Sequence, residues 1–386
     1  MKHRLVFHSL LLLAVFLSLA PTSLASSKWY VDGVNGSDNN NCKSPQHACK
    51  TIGHAISLAS SGDSVMVAAA TYTENLTIGF SLRLVGASAV TTIIDGGSVG
   101  RVVIISNASA HVTLSNLTMR NGQGGIGNSG MLTVNNSTLS GNSASVGGCT
   151  KACRSGGGGI YNDGTLTINR TTISGNGANI GACVLGCYAQ GGGIYNGGAL
   201  AISNSTLSGN IASMVGCDAF CYAQGGGIYN YYSSTLTINN STISGNSAKF
   251  IKCTGSACYV QGGGIFGSAT LQNSIVANND ARGLPWNCYG TITSKGYNLG
   301  SDGTCRFNNT GDLNNTDPKL GPLQNNGGPT QTQALLDGSP AIDAGNLSGC
   351  TDGKGHLLKT DQRGKPRPDK EDTGGCDMGA YERQKD

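Results

Sequence analysis

An all-β chain wound as a single right-handed parallel β-helix, with three sheets around one core, is what this sequence predicts. Three observations carry the prediction: a short block returns at near-constant spacing, apolar residues alternate with period two inside each repeat, and Asn recurs at one fixed place between strands. Self-similarity of this kind belongs to stacked architectures, in which each unit buries its apolar face against its neighbours. A short N-terminal capping helix and an irregular, disulfide-bonded C-terminal cap complete the expected fold.

In chain order, the first segment is Met-Lys-His-Arg, an apolar run from Leu10 to Leu19, Pro21, and small residues ending Ser23-Leu24-Ala25. A basic head, a short apolar run and a small-x-small site predict a secretory signal peptide over residues 1–25, cleaved before Ser26. The run is shorter than the roughly 20 residues a membrane helix needs, so membrane insertion is not expected. Removing Lys2 and Arg4 leaves 23 basic residues (25 − 2) against 21 acidic ones, a net charge of +2. So weak a charge on so long a chain argues against nucleic acid or an anionic membrane as partner.

Residues 26–280 read as the β-helix with its cap. Ile52, Ala55, Ile56 and Ala59 fall at helical spacing and predict the capping helix. Irregular first coils follow at Val65-Met66-Val67, Leu76-Thr77-Ile78, Leu82-Arg83-Leu84 and Ile93-Ile94. The block Ile160-Tyr161-Asn162 then returns at Ile194, Ile228 and Ile265, spaced by 34, 34 and 37 residues. Each block precedes an alternating segment such as Leu166-Thr167-Ile168 and another such as Thr172-Ile173-Ser174, so these are strands.

Three apolar columns emerge: Ile126, Ile160, Ile194, Ile228 and Ile265; Val134, Ile168, Ile202, Ile238 and Leu271; Leu139, Ile173, Leu207, Ile243 and Val276. Between the second and third strands stand Asn116, Asn136, Arg170, Asn204, Asn240 and Asn273. Asn tolerates left-handed backbone at a tight corner, and stacked amides are expected to hydrogen-bond from coil to coil. The repeat itself generates many Asn-x-Ser/Thr sequons at this corner, which are not read as glycosylation sites.

All 14 cysteines follow residue 25, and in an exported chain an even number predicts disulfides. Proximity suggests Cys42 with Cys49, Cys149 with Cys153, Cys183 with Cys187, Cys217 with Cys221 and Cys253 with Cys258, leaving Cys288 with Cys305 and Cys350 with Cys376. The four middle pairs lie in long loops after the third strand. Coil spacing of about 4.8 Å leaves pairing between loops open. Zinc is the rival use of these thiols, disfavoured by export and by the absence of His from the repeats; no metal or cofactor is expected.

Several motifs resemble known families. Trp29-Tyr30-Val31-Asp32, Lys50-Thr51-Ile52, Gly62-Asp63 and Thr71-Tyr72-Thr73-Glu74 resemble the entry to pectate-lyase-like right-handed β-helix proteins. The repeats resemble polymorphic outer-membrane protein repeats. Residues 281–386 resemble the choice-of-anchor Q region, on Gly296-Tyr297-Asn298-Leu299, Asn326-Gly327-Gly328-Pro329-Thr330, Ser339-Pro340-Ala341-Ile342-Asp343, Asp361-Gln362-Arg363-Gly364 and Cys376-Asp377-Met378-Gly379-Ala380-Tyr381-Glu382. That resemblance implies a bacterial exported protein without assigned chemistry. No anchor or sorting tail follows Glu382, so free secretion to the extracellular space is expected.

Catalysis on a β-helix needs carboxylate pairs or calcium ligands with a basic group. Between residues 121 and 280 the only acids are Asp163, Asp218 and Asp280, and no column supplies a pair. The catalytic residues of polygalacturonases and pectate lyases therefore do not carry over. Asp302, Asp312 and Asp317, or Asp361 with Arg363 and Asp377, remain as end-located candidates, with turn capping and ion pairing as their alternative use. Tyr161, Tyr195, Tyr229 and Phe266 follow the inward Ile column, so alternation turns them outward. An outward aromatic strip suits sugar rings; the alternative is a self-stacking ladder that only stabilises the sheet. The expected function is a non-catalytic extracellular binding or surface-structural protein with a carbohydrate ligand, the alternative being a polysaccharide lyase or glycoside hydrolase.

Overall fold

The structure, a computed structural model, describes residues 26–253, 257–347, 349–352, 355–370 and 375–385; the expected signal peptide lies outside them. The chain is an all-β parallel solenoid of about seven turns, consistent with a right-handed β-helix. Three sheets of ten, eight and nine strands run its length. Along one coil, Ile160–Asn162 belongs to the first sheet, Thr165–Asn169 to the second and Thr172–Ser174 to the third. Parallel pairing sets Ile160 on Ile194, Ile168 on Ile202 and Ile173 on Leu207. All fifteen residues of the three apolar columns are fully buried in one continuous core.

The corner between the second and third sheets is left-handed at every predicted position: Asn116, Asn136, Arg170, Asn204, Asn240 and Asn273 have φ between 45° and 58°. The expected amide ladder is not at this corner. A left-handed residue aims its side chain off the stack, and only Asn273 Nδ2 reaches its neighbour, at 3.0 Å from Asn240 Oδ1. The continuous ladders stand at the other two corners. After the first strand, Asn128, Asn162, Asn196 and Asn230 donate amide to amide over 2.7, 2.7 and 2.6 Å. After the third, Asn142, Asn176, Asn210, Asn246, Asn279 and Asn287 do the same over 2.9–3.0 Å. In this second ladder every amide NH2 but that of Asn287 also donates to a backbone carbonyl of the third-sheet strand one coil back, as Asn210 does to Ile173 at 2.9 Å. Buried polar groups are thereby paired where the chain turns and leaves its sheet.

The long segments after the third strand are not irregular loops. Gly177–Leu185, Ile211–Ala219 and Ser247–Cys253 pair in an outer sheet, and Arg154–Gly156, Tyr188–Gln190, Cys221–Gln224 and Cys258–Gln261 form a second. Between the two layers lies a small core of Ile180, Met214, Ala189 and the cysteines. All seven cysteine pairs suggested by proximity are at disulfide distance, so the four middle bridges close within single segments.

The N-terminal end is closed by the helix Ile52–Leu58, which buries Ile52, Ala55 and Ile56. Thr51 Oγ1 accepts from the His54 N–H, and the Glu74 carboxylate accepts from the N–H groups of Ile52 and Gly53 at 2.9 and 2.8 Å, satisfying first-turn donors and favouring the helix dipole. At the other end the three sheets continue one coil past residue 280 through Cys288–Tyr289, Ile292–Ser294 and Leu299–Gly300. Beyond Leu313 the chain does not only cap. It turns back along the outer face of the third sheet, where Thr172 Oγ1 donates to the Gln331 carbonyl and Thr206 Oγ1 to Gln362 Oε1. The amides of Asn204, Asn240 and Asn273 donate to the carbonyls of Thr360, Thr351 and Asp377. Here the outward aim of the left-handed corner finds its use.

The two kinds of corner Asn should respond oppositely to substitution. Asn210→Ala deletes a rung and leaves the amides of Asn176 and Asn246 short of a partner, for an expected loss of roughly 2–4 kcal/mol. Asn136→Gly keeps the left-handed backbone and should change stability by less than about 0.5 kcal/mol. Urea unfolding of both variants checks this; equal losses would contradict the assignment.

Candidate functional site

The aromatic column exists, but it is a ladder and not a strip. Tyr161, Tyr195, Tyr229 and Phe266 lie in register on successive first-sheet strands. Their rings stack face to face with centroids 4.7, 5.2 and 5.0 Å apart, and Tyr289 extends the stack by 5.3 Å. Identical rings on parallel strands have little choice, because strand spacing equals stacking distance. Their faces stack on one another except for the outer face of Tyr161, and Tyr229 and Phe266 are 4% and 5% exposed. Of the four expected binding residues, Tyr161 and Tyr195 line a cavity, whereas Tyr229 and Phe266 are buried. A second ladder that the sequence reading passed over, Tyr188, Tyr222 and Tyr259, stacks at 5.0 and 4.9 Å on the outer sheet. Its signal was visible as the repeated Tyr-Ala-Gln at 188–190 and 222–224.

The cavity lies where the ladder begins. One coil before Tyr161 the same position is Gly127, and the missing side chain leaves room that Arg101 enters. A Cβ on Gly127 would come within 3.1 Å of Arg101 Cδ, and one on Gly124 within 2.6 Å of Arg101 Nη1. Arg101 thus lies over two glycines and points at the Tyr161 ring, 5.5 Å from guanidinium to centroid. Its Nη1 donates to the carbonyls of Ile126 at 3.1 Å and Gly157 at 3.3 Å, and its Nη2 to that of Gly156 at 3.4 Å. Since the outer sheets start only at Ser143–Val146 and Arg154–Gly156, they form a step above this spot.

The resulting pocket of about 390 Å³ is walled by Arg101, Arg154, Tyr161, Tyr195, Gln190 and Ser155. Arg154 is exposed and stands 5.0 Å over the Tyr188 ring. No carboxylate lines the pocket, and among the described residues neither arginine is paired with one. Burial lowers the Arg101 pKa, yet a guanidinium stays cationic at neutral pH. Burial likewise raises the Tyr161 and Tyr195 phenols, keeping them neutral hydroxyls. Beside Tyr161, burial raises the carboxyl of Asp163.

The end-located carboxylates are engaged in hydrogen bonds and ion pairs within the fold, and Asp280 and Asp317 also line a second pocket. Asp302 accepts from the N–H of Asn287 and Thr304, Asp312 from those of Asn298 and Asn309, and Asp317 from that of Lys319. Asp280 accepts from Ser247 Oγ and the Gly283 N–H. In the returning tail, Asp361 pairs with Arg363 at 2.8 Å and accepts from three backbone N–H groups, while Asp377 accepts from those of Asp343 and Arg383. Glu382 pairs with Arg367 at 2.6 Å, both side chains fully buried. Asp361, Asp377 and Glu382 are all buried. The sulfur groupings close enough to hold a metal, such as Cys183, Cys187 and Cys221, consist of disulfide sulfurs, which offer no thiolate.

Glu382 carries a testable consequence. Burial pushes its carboxyl up from about 4.5 to about 8, with Arg367 pulling the other way. Between those values the folded state binds the proton and the unfolded chain does not, so stability should fall as pH rises from about 4.5 to about 8. Melting curves across that window should slope downward, and Glu382→Gln should flatten the slope. In comparisons with known proteins, the chain matches no family model and no curated relative.

Proposed function

We propose that this protein is an extracellular, non-catalytic binding module whose ligand is a glycan carrying carboxylate or sulfate groups, held where Arg101, Arg154, Tyr161 and Tyr195 meet. The observation that carries the reading is two guanidinium groups and two tyrosine edges converging on one open pocket whose lining holds no carboxylate. A planar fork of donors suits a carboxylate or sulfate, and ring edges with hydroxyls suit sugar hydroxyls. Support for the extracellular setting comes from the predicted signal peptide, from seven cysteine pairs at disulfide distance and from the motifs that resemble pectate-lyase-like and choice-of-anchor Q proteins. Among the described residues no helix is long and apolar enough to cross a membrane. The absence of any carboxylate pair beside the pocket favours binding over hydrolysis or elimination.

Titration calorimetry with uronate-containing, sulfated and neutral oligosaccharides tests the proposal. Acidic oligomers should bind with an affinity that falls as salt rises, and neutral ones should bind at least tenfold more weakly. Arg154→Gln should weaken binding about tenfold, or about 1.4 kcal/mol, and Tyr195→Ala should weaken it less. Accumulation of new reducing ends or unsaturated products would replace this reading with the lyase or hydrolase one.

A further inference from the structure

The disulfides of the outer sheets form a row. Parallel pairing places Cys149 beside Cys183, Cys183 beside Cys217, and Cys217 beside Cys253, so four bridges from four successive coils are stacked like rungs. Neighbouring rungs touch: Cys149 Sγ lies 3.9 Å from Cys187 Sγ, a sulfur of the next bridge. The sulfurs of Cys183, Cys187 and Cys221 all lie within 4.8 Å of one another, which repeats the relation one coil on. The two middle rungs are buried, with Cys187 and Cys221 at 0% exposure, whereas Cys149 and Cys153 at the first rung are half-exposed. Exposed Lys151 and Arg154 flank Cys153 and favour the approach of an anionic thiol.

We propose that Cys153 is a modification site for a small thiol and that the rungs relay the opening inward by disulfide exchange. An external thiolate attacks Cys153 Sγ, forming a mixed disulfide and releasing the Cys149 thiolate. That thiolate attacks Cys187 Sγ beside it; the Cys149–Cys187 bond forms, the Cys183–Cys187 bond breaks, and Cys183 leaves as thiolate. Cys183 attacks Cys221 in the same way, forming Cys183–Cys221 and releasing Cys217, which takes up the proton the external thiol gave up. Three disulfides are present before and after, so no oxidant or reductant is consumed. Bridges that closed single segments become bridges between coils, and a free thiol appears at buried Cys217 in place of an exposed one. Because Arg154 and Ser155 follow Cys153 directly and line the pocket, the adduct also sits at the pocket's rim.

The test treats the folded, oxidised protein with glutathione at mildly alkaline pH, quenches with acid, alkylates the free thiols under denaturant and maps the peptides. The expected products are a glutathione adduct on Cys153, Cys149–Cys187 and Cys183–Cys221 cross-links, and alkylation at Cys217. In Cys149→Ser/Cys153→Ser protein, alkylation of Cys217 should fall at least tenfold. An adduct accompanied by alkylation at Cys149, with no cross-link between coils, would overturn the relay; so would undiminished Cys217 alkylation in the double variant. The map of the unsubstituted protein decides the question even if the double variant does not fold.

Discussion

In-register hydrogen bonding between coils is the constraint on which everything else in this molecule rests. It holds each residue about 4.8 Å from its counterpart one coil away, so every property of the repeat is multiplied into a column. Side chains that gain from contact with their own kind can occupy such a column: Ile packs on Ile, Asn amides donate to Asn amides, Tyr rings stack on Tyr rings. Like charges at that distance repel. The chain is accordingly only 12% charged, with three acids between residues 121 and 280. A fold ruled by repetition has little room for a pair of unlike catalytic groups, and unusual chemistry must sit where a column starts, stops or is interrupted.

The pocket is such an interruption. Gly127 stands where the next three coils have Tyr, Arg101 fills the space this leaves, and the outer sheets begin just above. None of the three facts is periodic, and each is needed to make a concave surface with two cations. Farther along, the aromatic positions pack into a filled ladder, and Tyr229 and Phe266 lose contact with solvent.

The same distinction explains how much was legible in the sequence. The three apolar columns, the left-handed corner and the capping helix were readable because each depends on local pattern and stacking alone. The amide ladders were assigned to the wrong corner, since the pattern marks Asn at all three corners and only the sign of φ decides which amides face along the stack. Alternation gives the side of the sheet on which the rings lie but not what lies above them. Arg101 was invisible as a site residue: its importance comes from glycines 23 and 26 positions later, whose missing side chains are features only in three dimensions. The return of the tail along the third sheet was unreadable too, since Thr172, Thr206 and Gln362 look like ordinary polar residues until they meet.

That returning tail changes what kind of mechanical object the solenoid is. A stack whose coils touch only their nearest neighbours can fray from an end, one coil at a time. Here a single strap of chain is bonded to Thr172, Thr206, Asn240 and Asn273 on four successive coils, and is itself locked by the buried Arg367–Glu382 pair. Peeling one coil means releasing the strap from the others, so the coils beneath it are joined into one cooperative block.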